Sequence, residues 1–336
     1  MIRTFLLGLV ISILPVLTVQ STSAHADPFR VGVVLDKGGK DDKSFNASAH
    51  AGATRARDEL KVTYKYVEAT DDNAIESLLR AFAQKDFDLI IGVGFVQAEA
   101  VKKAALAFPK KQFAIVDGEV DAPNVRSRMF EEQEGSYLMG AAAAIASKTG
   151  KVGFVGGMDV PLIRRFEMGY SAGAKKVNAK VEVISGFVGV TGDAWNNPPK
   201  AKELALNQYN GGVDVIFQAA GASGAGVFDA AEEKKKFVIG VDSNQNWIKP
   251  GLVLTSMLKR VDVAVFDLIR ESMNSKGKIV DGTQRFGLKS KGIDYALDSN
   301  NEKVFTPEMK KRLEELKSQI IAGKIKVPDY YKLKSH

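Results

Sequence analysis

Apolar residues along the chain fall into short unbroken runs that alternate with longer stretches at helical spacing. The first run, Val31-Gly32-Val33-Val34-Leu35, has the pattern of a parallel strand buried on both faces. A polar stretch follows from Asp36 to Asn46, DKGGKDDKSFN, and small residues at helical spacing then run from Ala47 to Leu60. The order repeats, with a strand over Val62 to Val67, a helix over Asn73 to Gln84 and a strand over Asp88 to Gly92. A helix over Phe95 to Ala107 and a fourth strand over Gln112 to Asp117 complete the series. Such alternation predicts an α/β domain, a parallel sheet with helices on both faces.

The same unit returns after Gly150. Adding 121 maps Val31-Gly32 onto Val152-Gly153, Val34 onto Val155, Phe45 onto Phe166 and Ala51-Gly52-Ala53 onto Ala172-Gly173-Ala174. A shift of about 125 maps Val116-Asp117 onto Val241-Asp242. Two domains of one topology follow. Leu252 to Met257 reads as a tenth strand, Arg260 to Asn274 as a helix and Gly287 to Leu297 as short strand material. These pieces come after two complete units, so the chain is expected to cross back between domains through a hinge of several segments. A last helix, Pro307 to Ile321, carries Leu313, Leu316 and Ile320 on one face, and the basic end beyond it is read as a loose or docked tail.

The polar stretch is a strand-to-helix corner. Gly38 and Gly39 permit a sharp turn, while Asp41, Asp42 and Ser44 are residue types that cap a helix start. Ligands of open α/β sheets bind beyond the strand C-termini, which puts Asp36 and Phe45 at a candidate site. Phe45 is either a hydrophobic staple on its own helix or a ring that faces a ligand, and the stretch alone leaves both open. Asp117 and Asp242 end strands in the same way, Lys259 lies just past the tenth strand, and Trp195 is a further aromatic. Three carboxylates repel a phosphate but suit a neutral ligand rich in N–H and O–H donors, and aromatics offer stacking faces. Helix capping is the competing role for each Asp.

Other chemistry is poorly supported. Gly169-Tyr170-Ser171-Ala172-Gly173 matches the G-x-S-x-G nucleophile pattern, yet Ser171 falls inside a predicted helix and no histidine is placed to serve it. Asp41-Asp42 and Asp71-Asp72 precede helices, where capping outweighs metal binding. The loop Gly221 to Gly226 lacks the Lys-Ser/Thr of a phosphate loop and reads as a tight turn.

Composition narrows the setting. Arg3, an apolar core from Phe5 to about Val19 and Ala24-His25-Ala26 form a secretory leader, so the mature chain is expected to start near Asp27. The apolar core is short and interrupted by Pro15, which disfavours a retained membrane helix. Removing residues 1–26 leaves 46 cations against 40 carboxylates, a net +6. That charge is dispersed, with no basic patch interleaved with aromatics, and nucleic acid is not an expected partner. The chain has no cysteine, hence no disulfide, no thiolate metal site and no cysteine for a lipid anchor.

Several motifs together carry a family likeness. Val31 to Gly52, Glu131-Glu132-Gln133-Glu134-Gly135-Ser136-Tyr137-Leu138-Met139-Gly140, Val152 to Gly157 through Gly169 to Gly173, Asn197 to Lys202, Ile239 to Gln245 and Leu254 to Asp262 appear in order. The chain thereby resembles the basic membrane protein family, purine nucleoside receptor-like solute-binding proteins of ABC importers. The resemblance implies a type I periplasmic-binding-protein fold, two Rossmann-like lobes with parallel sheets joined by a three-segment hinge. The lobes are expected to comprise residues 27–128 with 258–286, and 129–257 with 287–336. It also implies that Phe45 stacks on a purine, that Asp36, Asn46 and Asp117 bond its edge, and that Asp242 and Lys259 hold a ribose. Trp195 would be the opposite stacking face, with Ser44 and Gly221 also at the ligand. The implied protein is a non-catalytic, cofactor-free periplasmic monomer that delivers its small-molecule ligand to a permease and ATPase. Two departures bear on this. Members are commonly lipoproteins, whereas this chain lacks the cysteine, and the family's AAGGTG loop reads Ala219-Ala220-Gly221-Ala222-Ser223-Gly224. The second bears on ligand identity, for which a sugar, riboflavin or another flat metabolite are the alternatives; a secreted hydrolase is the rival function of another class.

Overall fold

A computed structural model describes residues 27–275, 278 and 281–333. The expected leader and its cleavage point lie outside the described residues. β1 (Arg30–Leu35), α1 (Phe45–Leu60), β2 (Thr63–Glu68), α2 (Ile75–Gln84), β3 (Leu89–Val93), α3 (Ala98–Ala107), β4 (Gln112–Val116) and β5 (Val125–Phe130) form the first lobe. The second contains α4 (Glu132–Ala146), β6 (Lys151–Met158), α5 (Pro161–Val177), β7 (Glu182–Gly189), α6 (Pro198–Asn210), β8 (Val215–Ala219), α7 (Gly224–Lys234), β9 (Phe237–Asp242) and β10 (Val253–Lys259). The chain then returns with α8 (Val261–Asn274) and β11 (Gly282–Phe286). It finishes on the second lobe with β12 (Ile293–Tyr295), α9 (Pro307–Ile321) and α10 (Tyr330–Leu333).

The sheets have matching orders, β11-β5-β4-β3-β1-β2 and β12-β10-β9-β8-β6-β7. All pairings are parallel except β10 with β12, which is antiparallel. Apolar strand residues face helices on both sides. Val34, Ile90 and Phe113 pack under α2 and α3, whereas Val31, Val33 and Leu35 belong to a core that continues through both lobes. Three connections join the lobes, after β5, β10 and β11. The expected boundaries at 128 and 257 fall within β5 and β10, two residues before each strand ends.

Some elements differ from the sequence expectation. The strand material expected over Gly287 to Leu297 lies on either side of a turn, β11 ending at Phe286 and β12 spanning only Ile293–Tyr295. α1 starts at Phe45 rather than Ala47. Its cap is the Asp42 carboxylate, which accepts from the backbone N–H groups of Ser44 (2.8 Å), Asn46 (2.9 Å) and Ala47 (2.9 Å). One buried acceptor thus satisfies three orphan donors and pulls the helix start forward.

The internal repeat is a packing repeat as well. A side chain at Gly52 of α1 would fall 2.3 Å from the Asp262 carbonyl of α8, and one at Gly173 of α5 would fall 1.8 Å from the Tyr137 carbonyl of α4. In each lobe the glycine admits the helix that arrives through a hinge connection.

Candidate functional site

The strand C-termini of both sheets converge on one cavity between the lobes. From the first lobe come Asp36, Gly38, Asp42, Phe45, Asn46, Gly94, Phe95 and Asp117. The second adds Leu162, Ile163, Phe166, Trp195, Ala219, Gly221, Val241 and Asp242, and Lys259 closes the floor at the end of β10. About 60 Å³ is open to water-sized centres, room for roughly four to six waters. Eight of the nine expected site residues therefore share one cavity. Ser44 is the exception. It is fully buried behind the lining, and its hydroxyl donates across the cleft to Asp242 Oδ2 at 2.5 Å.

The corner Asp36 to Asn46 is braced from within. Asp36 Oδ1 accepts from the Gly38 N–H (3.0 Å) and from Asn46 Nδ2 (2.6 Å), and Asn46 Oδ1 accepts from the Asp36 N–H (3.3 Å). Asn46 is thus locked by the turn it closes, while Asp36 Oδ2 remains on the cavity side next to Gly94. Phe45, as the first residue of α1, projects from a capped helix end. The capping and ligand-facing roles left open by the sequence fall to different residues: Asp42 caps, and Asp36 lines the cavity. Asp71 is also a cap, its Oδ1 accepting from the Asn73 N–H at 3.0 Å.

Asp117 and Asp242 repeat one another in backbone conformation. Their φ values are 65° and 64°, left-handed geometry that is uncommon outside glycine and is adopted by asparagine and aspartate more often than by other residues. Each follows or ends an apolar strand, and the left-handed turn directs its carboxylate into the cleft. The same backbone turn thus recurs at the equivalent strand end of each lobe, and both residues line the cavity.

Charge at the floor is concentrated and mutually compensated. Lys259, 1 % exposed, pairs with Asp117 and lies 3.1 Å from Glu132 Oε1. Its ammonium also sits 5.0–5.5 Å from the ring centroids of Phe130, Phe45 and Phe166. Burial works against its charge, but Asp117, Glu132 and Asp242 outweigh burial and raise its pKa. Burial pushes Asp242 up to about 6, with Lys259 and Ser44 opposing. Burial also raises Asp36 and Asp117, the latter opposed by Lys259, and brings Asp42 to about 6 despite its three N–H donors. Glu132 is buried completely and bridges Lys259 to Arg165, whose Nη1 lies 2.5 Å from Glu132 Oε2. Arg165 Nε in turn donates to Asp329 Oδ1 at 2.8 Å, tying the C-terminal tail to the hinge.

Several lining residues escaped the sequence reading. Phe95 starts a short 3-10 turn after β3 and meets Trp195 edge-on, with centroids 6.3 Å apart at 79°. Leu162 and Ile163 lie in the first turn of α5, where apolar residues look like ordinary core. Phe166 carried a signal, its correspondence with Phe45. The second-lobe turn is shorter than Asp36 to Ser44, so Phe166 lies deeper along its helix while still reaching the cavity. Ser171 sits well inside α5.

The family profile described as ABC transporter substrate-binding protein PnrA-like (Bmp) matches residues 29–330. The chain belongs to this family. As a Bmp-family protein it is an ABC transporter substrate-binding protein, which takes up a small-molecule ligand outside the cytoplasm and delivers it to a permease. Among its relatives is the ABC transporter nucleoside-binding protein BmpA of Lactococcus lactis subsp. cremoris. The two are 36% identical over 322 residues, 89% of each chain. The CD4+ T-cell-stimulating antigen of Listeria monocytogenes is 36% identical over 325 residues, 90% of this chain and 88% of that one. A solved ABC transporter solute-binding protein from Aeropyrum pernix K1 superposes with a TM-score of 0.82 at 31% identity, covering 91% of this chain and 96% of that one. The Bmp protein thus has the two-lobed α/β fold of type I periplasmic binding proteins, as its sequence led one to expect.

Proposed function

We propose that the cleft binds a purine nucleoside, and that the protein works as a soluble periplasmic monomer, freed from its leader after Ala26 and without catalysing a reaction. The observation that carries the ligand class is the chemistry of one cavity. Phe45, Phe95, Phe166 and Trp195 supply flat apolar faces from both lobes, while Asp36, Asn46, Asp117, Asp242 and Lys259 supply polar groups around them. A neutral, planar base stacks on the first set, and its N–H groups and ribose hydroxyls donate to the second. Phosphorylated ligands are disfavoured, since Asp36, Asp117 and Asp242 confront a single lysine. The Lactococcus relative's description as nucleoside-binding agrees with this choice. The absence of cysteine supports the unlipidated form.

A nucleoside fills more room than four to six waters, so entry requires the lobes to part and closure follows around it. Calorimetry with inosine, adenosine, guanosine and uridine tests the assignment. Tight binding of at least one purine nucleoside is expected. Absence of heat with all four would defeat it, and mass spectrometry of ligand retained through native purification would then identify the occupant.

A further inference from the structure

β5 contains an anomaly outside the lining of the aromatic cleft. It is an interior strand, paired on both sides by β4 and β11 and buried along its whole length, yet it reads Val-Arg-Ser-Arg-Met-Phe. Arg126 and Arg128 point to the same face because they are two residues apart. They are 6 % and 3 % exposed. A buried guanidinium ordinarily requires a carboxylate or a set of carbonyls, often in bidentate geometry. Here two guanidiniums share one oxygen. Glu271 Oε2 lies 2.7 Å from Arg128 Nη2 and 3.5 Å from Arg126 Nη1. The remaining bonds are long: Arg126 Nη1 to Ser272 Oγ at 3.3 Å and Arg128 Nη1 to the Ser127 carbonyl at 3.5 Å. Arg128 Nε is buried and has no acceptor among the described residues.

These under-compensated donors line an open surface recess between the end of α8 and the edge strand β11. Asn274, Ser275, Thr283 and Gln284 complete it with amides and hydroxyls. Among the described residues the opposing charges are few. Glu271 is itself half-exposed, Asp281 is an exposed residue of the lining, and Asp267 is engaged by Arg270 at 2.7 Å. Burial lowers the pKa of both arginines, consistent with charge that lacks sufficient partners.

We propose that Arg126 and Arg128 form an oxyanion site on the first lobe, which takes a phosphate or carboxylate group in place of the Glu271 side chain. An oxyanion that offers two acceptor oxygens fits paired guanidiniums better than a single carboxylate oxygen does. Acidic neighbours keep the affinity modest and make it depend on the loss of the Glu271 contact. Because Arg128 also accepts the Asp117 N–H through its carbonyl at 2.9 Å, the site adjoins the strand end that carries a cleft carboxylate.

The test uses the full mature chain and no cleft ligand, so it succeeds or fails independently of the nucleoside assignment. Thermal unfolding and backbone amide NMR are followed during titration with inorganic phosphate, and separately with succinate, against sodium chloride at matched ionic strength. Expected are a saturable rise in the unfolding midpoint and shifts confined to β5, β11 and the end of α8. A response to phosphate alone identifies a phosphate site, and one to succinate alone identifies a carboxylate site. Arg128→Met, which retains the apolar stem, should weaken the response at least tenfold, and Glu271→Gln should strengthen it several-fold. If Arg128→Met does not fold, Arg126→Met and Glu271→Gln decide the matter. A wild-type response no larger than that to chloride would overturn the site. So would binding unchanged in the arginine variants, or a Glu271→Gln variant that binds no better.

Discussion

At the scale of single residues, the position of Phe45 determines what it can do. It begins α1, half-buried, with its ring in the cavity and within 5.2 Å of the Lys259 ammonium. A staple would lie against its own helix, so loss of the ring would affect stability and leave binding unchanged. Stacking makes the opposite prediction. Phe45→Ala should weaken nucleoside binding by about 1–3 kcal/mol in calorimetry, with little change in unfolding midpoint. The cleft carboxylates add a pH signature. Asp42 and Asp242 titrate near 6 when folded, against 3.8 for a free side chain, so between those values the folded chain binds more protons than the unfolded one. Asp36, Asp117 and Glu134 are raised in the same sense, and His50, lowered by burial, opposes them. Ion-paired Asp58 and Asp159, being lowered, enter only below about pH 4. The ligand-free protein should therefore unfold at higher temperature at pH 5.5 than at pH 7.5. Affinity for a donor-rich ligand should fall over the same interval, because protonated Asp242 no longer accepts as a carboxylate. Stability and affinity moving in the same direction would refute the assignment of Asp242 to the ligand.

At the scale of elements, the repeat explains why glycine recurs at Gly52 and Gly173. Gly173→Ala puts a methyl group where the Tyr137 carbonyl stands and forces α4 and α5 apart, an overpacking change of about 1–3 kcal/mol. Thermal denaturation should show the second lobe unfolding earlier, whereas an unchanged midpoint would mean that the helices slide without cost. Much of this layer was legible in the sequence, since buried parallel strands are continuous apolar runs and the repeat doubled each signal. β5 was not legible, because Arg126, Ser127 and Arg128 break the apolar run that identifies an interior strand. The site was partly legible for a related reason. Polar residues at strand ends, such as Asp36, Asp117 and Asp242, stand out against apolar runs. Leu162, Ile163 and Phe95 do not, because their part in the cavity comes only from how the lobes meet. Ser44 lies behind the cavity lining, and a cap-type residue beside a ligand-type residue cannot be sorted by order alone. Asp42 took the cap, and Ser44 was left to bridge the lobes.

At the scale of the whole molecule, closure has contacts of its own besides any made by a ligand. Ser44 donates to Asp242, Ser243 Oγ donates to the Ser44 carbonyl at 3.1 Å, and Gln245 Nε2 donates to the Lys43 carbonyl at 2.9 Å. At the cleft lip Lys37 reaches Asp193 at 3.1 Å, an exposed pair. Three connections constrain the relative motion of the lobes to a hinge, so these contacts bias an open–closed equilibrium rather than create a new state. A contact present only in the closed form raises affinity by increasing the closed fraction, even when it never touches the ligand. Ser243 is the cleanest probe, because its interlobe bond is made by a side chain outside the cavity lining. Ser243→Ala should remove a net ~0.5–1.5 kcal/mol from closure, raising Kd roughly 2- to 12-fold while the order of preference among nucleosides is preserved. Asp193→Ala should have a smaller effect that disappears at high salt, as expected for a screened surface pair. Dyes on one cysteine introduced into each lobe of this cysteine-free chain would report the closed fraction directly. A weaker Kd in Ser243→Ala without a shift in that fraction would mean that Ser243 acts on the ligand and not on the hinge.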